Sequence, residues 1–213
     1  MDYTVRMLRL LGDLRRERNG AVADAMRFYG RPYGLNYGVS LPTVRRLAQA
    51  EGTDDGFARY LYAQDVRELK LAACGIADPA ATDAPEAEYW GAGLLNSELA
   101  EELAFALLSR TERIAEVFGA WTKEGRPALQ RYAALLGAAR NPKLTTAFLP
   151  AVAGAVRCNP DDRLTARGAV ALLEKLYENE ENRDAVIRFV GSLDASPSAD
   201  SIREEMAWRM EVQ

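Results

Sequence analysis

The amino-acid sequence predicts an all-α protein built from stacked antiparallel helix pairs, with no β-sheet. Apolar residues recur at helical spacing along most of the chain, which is the primary signal of amphipathic helices. The joints between the helical segments are short and carry Gly, Pro or Asn, the residues that end helices. Two helices recur about every 35 to 45 residues, and this is the period of HEAT-type helical repeats.

The N-terminal segment contains two predicted helices, near residues 4–18 and 21–29. The loop that follows, over residues 30–38, contains three glycines and one proline and therefore cannot be helical. Four apolar residues of the first helix recur at helical spacing and are predicted to face the core: Val5, Leu8, Leu11 and Leu14.

The remainder of the chain alternates helices with short joints, and the joints carry breakers such as Gly52, Asp78-Pro79, Asn141-Pro142 and Ser196-Pro197. Such a continuous array predicts a single domain over residues 1–213. The predicted helices lie near residues 42–51, 54–64, 66–78, 85–94, 97–109, 111–122, 125–140, 145–157, 162–178, 181–193 and 198–210.

The composition excludes several classes of protein. Hydrophobic residues make up 48% and charged residues 27% of the chain, so it is not intrinsically disordered. No run of about 18 apolar residues is present, so no membrane-spanning helix is expected. The N-terminal residues 1–6 lack the apolar core of a signal peptide, which predicts a cytoplasmic protein.

The chain has no histidine and two cysteines, Cys74 and Cys158. The lack of histidine excludes Ser-His-Asp and Cys-His catalysis and the HExxH metal site. Two isolated cysteines form no zinc motif, and a disulfide between them is disfavoured. We therefore expect no metal and no organic cofactor, and any chemistry must depend on carboxylates, Tyr, Lys, Arg or backbone dipoles.

The charge is unevenly distributed. The net charge is −4, but residues 1–50 carry nine arginines and four acidic residues, a net +5. The acidic total argues mildly against non-specific binding of nucleic acid, although a basic stripe on one face is compatible with it. The basic N-terminal fifth is equally typical of a solvated helix face.

Three cations recur at equivalent places in the predicted repeats. Lys70, Arg131 and Arg167 each precede a small apolar stretch early in a helix that is the second of its pair. Equivalent positions of successive repeats line one surface of a solenoid, so the three predict a row of positive charge. The alternative is that each side chain only extends along the edge of the core towards water.

Four segments together carry a family resemblance. Residues 37–48 present an aromatic residue, Gly, an aliphatic residue, Pro and then Arg45, and residues 66–73 contain an Arg-Glu helix. Residues 129–134 read Leu-Gln-Arg-Tyr-Ala-Ala, and Trp121 precedes them. In order, spacing and helix count, these segments resemble the AlkD-like DNA alkylation repair family across nearly the whole chain.

The resemblance implies a right-handed HEAT-like solenoid with a concave face that binds double-stranded DNA. Catalytic members of that family are glycosylases of base excision repair that release cationic N3- or N7-alkylated purines. A carboxylate stabilises the oxocarbenium-like sugar of the transition state. The family's essential Asp aligns with Glu101, which retains the carboxylate, whereas its two cleft Trp residues align with Ser97 and Ala169. Trp90 is a possible replacement, and a register shift would move the carboxylate to Glu98 or Glu102.

The same resemblance assigns residues that hold DNA. Arg131 matches a phosphate-contacting Arg of the family, and Arg167 falls where the family has a Lys. Apart from the resemblance, the loop with Arg31, Tyr33 and Tyr37 combines a cation with aromatics suited to stacking and backbone contact. The loop could equally be a structural turn, and Trp121 could be a core residue. The residues predicted to bind DNA are Arg131, Arg167, Lys70, Arg45, Arg31, Tyr33, Tyr37 and Trp121.

The sequence therefore predicts a monomer that binds damaged or distorted double-stranded DNA, with no membrane and no metal. It is a candidate glycosylase with Glu101 as its catalytic residue. Two alternatives remain open: a non-catalytic protein that recognises DNA structure by shape, and a helical scaffold for protein–protein interaction.

Overall fold

The computed structural model describes residues 2–30 and 33–212, and it confirms the all-α prediction. The described part contains no strand, only one isolated bridge between Leu35 and Val66. Short 3-10 turns lie at Leu108–Arg110 and Thr146–Phe148. The α-helices are α1 (Tyr3–Arg16), α2 (Gly20–Phe28), α3 (Leu41–Glu51), α4 (Asp55–Tyr62), α5 (Arg67–Ile76), α6 (Ala84–Ala92), α7 (Ser97–Ala106), α8 (Ile114–Trp121), α9 (Ala128–Arg140), α10 (Leu149–Cys158), α11 (Arg163–Tyr177), α12 (Glu180–Ser192) and α13 (Pro197–Val212).

The helices form two rows. From α3 onwards, every other helix packs on the next one of the series. One continuous row is thus formed by α3, α5, α7, α9, α11 and α13. Other helices pack against this row, as α4 does on α5, α8 on α9 and α12 on α11. Because each α-helix packs mainly on its neighbours in the array, the molecule has the HEAT-like repeat architecture that the sequence predicted.

The helix boundaries follow local signals. Side chains of Asn96 and Asp162 accept hydrogen bonds from the first-turn amides of α7 and α11, and so fix where these helices begin. The predicted helix over 97–109 separates into α7 and a 3-10 turn, and the one over 145–157 begins with a 3-10 turn ahead of Pro150. These differences of a few residues leave the order of the elements unchanged.

The predicted core face of α1 is partly wrong. Leu11 and Leu14 are buried together with Leu10, but Val5 and Leu8 are 55% and 58% exposed. α1 begins the array, so α3 and α4 cover only one of its sides. The position of α1 is set by Arg6, whose guanidinium pairs with Glu51 and Asp54 and lies over the ring of Phe57.

A buried ion-pair network ties the loop before α3 to the row of second helices. Arg67 donates hydrogen bonds to the carboxylates of Glu68 and Glu98 and to the carbonyl of Val39. Glu68 in turn accepts hydrogen bonds from the backbone amides of Tyr37 and Val39. A buried charge network must satisfy its members in this way, because an unpaired buried charge is costly.

None of the helices in the described ranges is both long enough and apolar enough to pass through a membrane. Within the same ranges, no group of three or more Cys, Asp or Glu side chains is arranged to hold a metal ion.

Candidate nucleic-acid interface

Two clefts lie side by side on the row of second helices. The large cleft has a volume of about 1020 Å³ and lies among α7, α9, α11 and α13. The small cleft, of about 550 Å³, lies between α3 and α7 and reaches the end of α9. Phe105 and Arg140 line both clefts. We call this surface the cleft face. The described part of the chain gives this face six arginines: Arg45, Arg110, Arg140, Arg163, Arg167 and Arg209.

Glu101 is the carboxylate that α7 presents to the large cleft. Its side chain is 30% exposed, and its Oε1 accepts a hydrogen bond of 2.9 Å from the Oη of Tyr132. The guanidinium of Arg167 lies 3.4 Å from the same oxygen. Burial, together with the hydrogen bond to Glu101, raises the pKa of Tyr132, so the phenol keeps its proton and remains the donor. The carboxylate is thus accessible and partly neutralised.

The two neighbouring acids of α7 are committed elsewhere. Glu98 pairs with Arg67 at 2.7 Å and accepts a hydrogen bond from the Oη of Tyr33. Glu102 is 2% exposed and is held by Nε and Nη2 of Arg45. The geometry therefore favours Glu101 over Glu98 and Glu102 as the carboxylate of the large cleft. Its catalytic role remains a prediction.

Two of the three tryptophan residues, Trp90 and Trp121, lie in the core, whereas Trp208 on α13 is exposed. Trp90 is fully buried against Tyr62 and Tyr89, so it does not replace an aromatic side chain in the large cleft. Trp121 is also fully buried, and its Nε1 donates to Glu88. Because no surface of Trp121 is exposed, this arrangement agrees with the alternative that it is a core residue. Its predicted contact with DNA remains a prediction.

The three recurrent cations do not form an exposed row. Of the three, Arg167 reaches the large cleft, where its guanidinium also lies over the ring of Tyr132. Lys70 is buried, and its Nζ donates to the carbonyl of Tyr62 at 2.7 Å. Burial lowers the pKa of Lys70.

Arg131 is 2% exposed and occupied by internal partners. It donates hydrogen bonds to the Oγ1 of Thr165, the carbonyl of Arg126 and, at 2.7 Å, the carboxylate of Asp162. Burial alone would raise the pKa of Asp162, but hydrogen bonds from Thr165, Arg131 and the amide of Leu164 lower it overall. This network joins α9 to the first turn of α11, and phosphate binding by Arg131 stays a prediction.

The remaining predicted residues have mixed positions. Arg45 lines the small cleft while it pairs with Glu102. The phenol of Tyr33 donates to the side-chain oxygens of Asn96 and Glu98. The phenolic oxygen of Tyr37 accepts a hydrogen bond from the Nε of Arg15. These bonds agree with a structural loop. Arg31 lies outside the described residues, and the DNA-binding role of all four residues is untested.

The sequence did not single out four arginines of the cleft face, and one of them, Arg209, pairs with Glu174 and Glu205. Arg110, Arg140 and Arg163 have no acidic partner within 4 Å among residues 2–30 and 33–212. Each lies at the end or the beginning of a helical turn next to a joint. The sequence offered one signal for Arg163: it precedes the predicted Arg167 by about one helical turn, so the two side chains lie on the same face of the helix. An exposed aromatic pair, Phe28 and Tyr29 at the end of α2, was also missed.

The fold and the cleft face define a helical-repeat protein with an arginine-lined surface. The sequence profile of the family described as DNA alkylation repair enzyme matches residues 10–206. The chain therefore belongs to this family, as the resemblance implied.

A solved structure has the same fold. It comes from a family described as related to the HEAT-like repeat DNA glycosylases and as having affinity for branched DNA structures. The two structures superpose with a TM-score of 0.71 over 98% of this chain and 95% of the other, at 16% sequence identity. No curated protein sequence matches this chain.

Proposed function

We propose that this chain binds damaged or distorted duplex DNA along the cleft face, mainly through contacts to the phosphate backbone. The observation that carries the proposal is the set of arginines on this face. Arg110, Arg140 and Arg163 lack an acidic partner among the described residues, although the chain as a whole is acidic. Arginine binds phosphate oxygens with two parallel hydrogen bonds, and such contacts are independent of base sequence.

The kinship with DNA alkylation repair enzymes and the branched-DNA affinity of the structural relative support this choice of ligand. Recognition would depend on DNA shape, because a bent or interrupted duplex costs less energy to fit into a hollow surface than an intact one. A protein-interaction scaffold explains the fold equally well, but it gives no reason for unpaired arginines within a cleft. The cytoplasmic location and the monomeric state are part of the same proposal.

One titration tests the proposal directly. Fluorescent duplexes with and without a lesion are titrated at about 50 and 200 mM salt, because phosphate contacts weaken steeply over this range. We expect Arg163→Gln to reduce the slope of log affinity against log salt by about one. Arg188→Gln is the matched control, because Arg188 is exposed on α12 and lines neither cleft. Absence of binding at the lower salt concentration would favour the scaffold.

A second candidate function, excision of cationic alkylated purines, is favoured by one observation. Glu101 is an accessible carboxylate at the edge of the large cleft, where it could stabilise an oxocarbenium-like sugar. The hydrogen bond from Tyr132 and the nearby Arg167 both reduce its effective negative charge. No tryptophan lines the large cleft within the described residues, so the stacking that the resemblance implies is lacking. We therefore rank binding above catalysis.

An excision assay on DNA with 7-methylguanine separates the two candidates. If the chain is a glycosylase, it releases the free base, and Glu101→Gln lowers the rate by at least about 100-fold, the usual effect of losing one electrostatic contact to the transition state. If it is a binding protein alone, no base is released, and Glu101→Gln leaves DNA affinity nearly unchanged or slightly higher, because one negative charge is removed from the cleft.

A further inference from the structure

A pair of side chains forms the border between the two clefts. Phe105 on α7 and Arg140 at the end of α9 line both of them, and the guanidinium carbon of Arg140 lies 3.6 Å from the centre of the Phe105 ring. Arg140 is exposed and Phe105 is half-buried. We call this pair the divider. A guanidinium stacked on an aromatic ring presents a flat, cationic surface of the kind on which nucleobases stack.

The small cleft has the charge of an anion site. Among the described residues, it is lined by three arginines and one glutamate, a net charge of +2. Because Glu102 is bound to Arg45, the charge of that acid is already neutralised. Arg110 donates its Nη1 to the carbonyl of Ala106, and like Arg140 it has no acidic partner in the described part of the chain. The small cleft therefore attracts an anionic ligand, and the backbone phosphates of DNA supply one.

The large cleft differs. Its lining within residues 2–30 and 33–212 contains four arginines and four acidic residues, so these charges sum to zero. A single straight duplex has the same phosphate density along its whole length, at about one charge per 1.7 Å of helix axis. The two clefts differ in charge and are separated by the divider. Such a surface fits a DNA ligand whose base-pair stack is interrupted at the divider. At a branch point the base-pair stack stops, and the flat face of a terminal base pair becomes available for stacking.

From this arrangement we propose that the small cleft binds a second arm of branched DNA, while the divider stacks at the branch point and the large cleft holds the first arm. This inference deepens the proposed function and depends on it. It assigns Arg110 to the second arm, Arg163 to the first arm, and Phe105 with Arg140 to the junction itself. A linear duplex is held mainly in the large cleft and contacts the small cleft less than a junction does.

The test compares a three-way junction with a linear duplex of the same total length, both titrated against the full chain at about 50 mM salt. We expect Arg110→Ala to weaken junction binding about five- to tenfold, the loss of one charge-assisted hydrogen bond, and to weaken linear-duplex binding by a clearly smaller factor. Arg163→Ala is the matched variant in the large cleft, and it should weaken both ligands to the same extent. Phe105→Leu should lower the ratio of junction affinity to linear-duplex affinity, because it removes the ring of the divider.

Different results overturn different claims. If Arg110→Ala weakens both DNAs equally, the two clefts form one continuous duplex track and the inference is wrong. If it weakens neither, the small cleft does not contact DNA, and the inference is again wrong while Arg163 can still support the proposed function. If the unaltered chain binds neither DNA, the proposed function itself fails. Arg110 is exposed, so Arg110→Glu also folds normally and should abolish the junction preference even where the alanine effect is small.

Discussion

The large and small clefts share a border but hold their carboxylates in opposite ways. In the large cleft, Glu101 is 30% exposed and shares its charge with Tyr132 and Arg167 at the cleft surface. In the small cleft, Glu102 is 2% exposed and pairs with Arg45. The two residues are adjacent on α7, so the difference arises from the helices that face them. One carboxylate remains available to a ligand, while the other serves to position an arginine.

This difference separates binding from chemistry. The small cleft keeps two arginines whose charge no described acid balances, so it is suited to phosphate. The large cleft is neutral overall and contains the accessible acid, so it is where a reaction would occur if the chain is catalytic. Phosphate binding could therefore persist in a protein that has lost excision, because different residues carry the two properties.

The largest expected effect concerns the packing of α9 on α11, two helices that border the large cleft. Arg131→Leu should lower the free energy of unfolding by about 3–5 kcal/mol, because it leaves Asp162 without its buried ion pair. It also removes the hydrogen bonds that Arg131 donates to Thr165, Asp162 and the carbonyl of Arg126. Urea denaturation measures the change. Arg163→Leu, at an exposed position, is the control and should change stability by less than about 0.5 kcal/mol. A small effect of Arg131→Leu would instead support its predicted contact with phosphate.

The corresponding change in the small cleft is Arg45→Leu. It leaves the buried carboxylate of Glu102 unpaired, which should cost about 2–3 kcal/mol, less than a fully buried pair because Arg45 is half-exposed. The double variant with Glu102→Gln should recover part of the loss, since it removes the unpaired charge. Thermal or urea unfolding of the four proteins in this cycle gives the coupling. Additive losses would show that the two side chains do not interact.

A pH dependence belongs to Asp162. Its pKa is lowered in the folded chain, so it contributes stability above the unfolded value of about 3.9, and this contribution is lost as pH falls through the lower folded pKa. Asp162→Asn keeps a residue able to cap α11. We expect the unaltered chain to be more stable than Asp162→Asn at pH 6, with a gap that narrows towards pH 3. Asp161→Asn is the exposed control, and a constant gap for Asp162→Asn would contradict the ion pair.

A smaller effect is expected at Tyr132. Tyr132→Phe removes one hydrogen bond to a partly exposed acceptor and should cost about 0.5–1.5 kcal/mol. Glu101 then keeps Arg167 as its remaining described partner. The variant therefore also tests how far the hydrogen bond from the phenol reduces the reactivity of the carboxylate. An excision rate that increases with Tyr132→Phe would support the glycosylase candidate, whereas no effect on stability would mean that the bond is absent in solution.

The smallest expected effect is that of Arg167→Gln. The ion pair with Glu101 is surface-exposed and 3.4 Å long, so its loss should change stability by about 0–1 kcal/mol. DNA affinity should nevertheless fall at low salt, because a positive charge leaves the large cleft. Equal stability with weaker binding would identify Arg167 as a ligand residue, and unchanged binding would restrict it to holding Glu101.

Much of the fold followed from local patterns in the sequence. Thirteen helices were predicted and thirteen α-helices are observed in the described residues, in the same order. Apolar spacing, capping residues and Gly or Pro joints act within a few residues of one another, so a single sequence contains that information. The exception was α1, where the exposure of Val5 and Leu8 reflects its place at the beginning of the array.

The candidate site was less predictable. The resemblance placed a carboxylate on α7, but only the packed structure distinguishes Glu101 from Glu98 and Glu102. Arg131 and Arg163 look equally available in the sequence, yet the first is buried beside Asp162, and the second lines the large cleft.

The sequence by itself thus determined the helices, their order and the family, because these depend on periodicity and on motifs of adjacent residues. Tertiary structure decided which charges face a ligand. Arg131 meets Asp162 across 31 positions of chain, and Arg45 meets Glu102 across 57. Whether a charged side chain is paired or free depends on such distant partners, and helical spacing along one segment does not specify them.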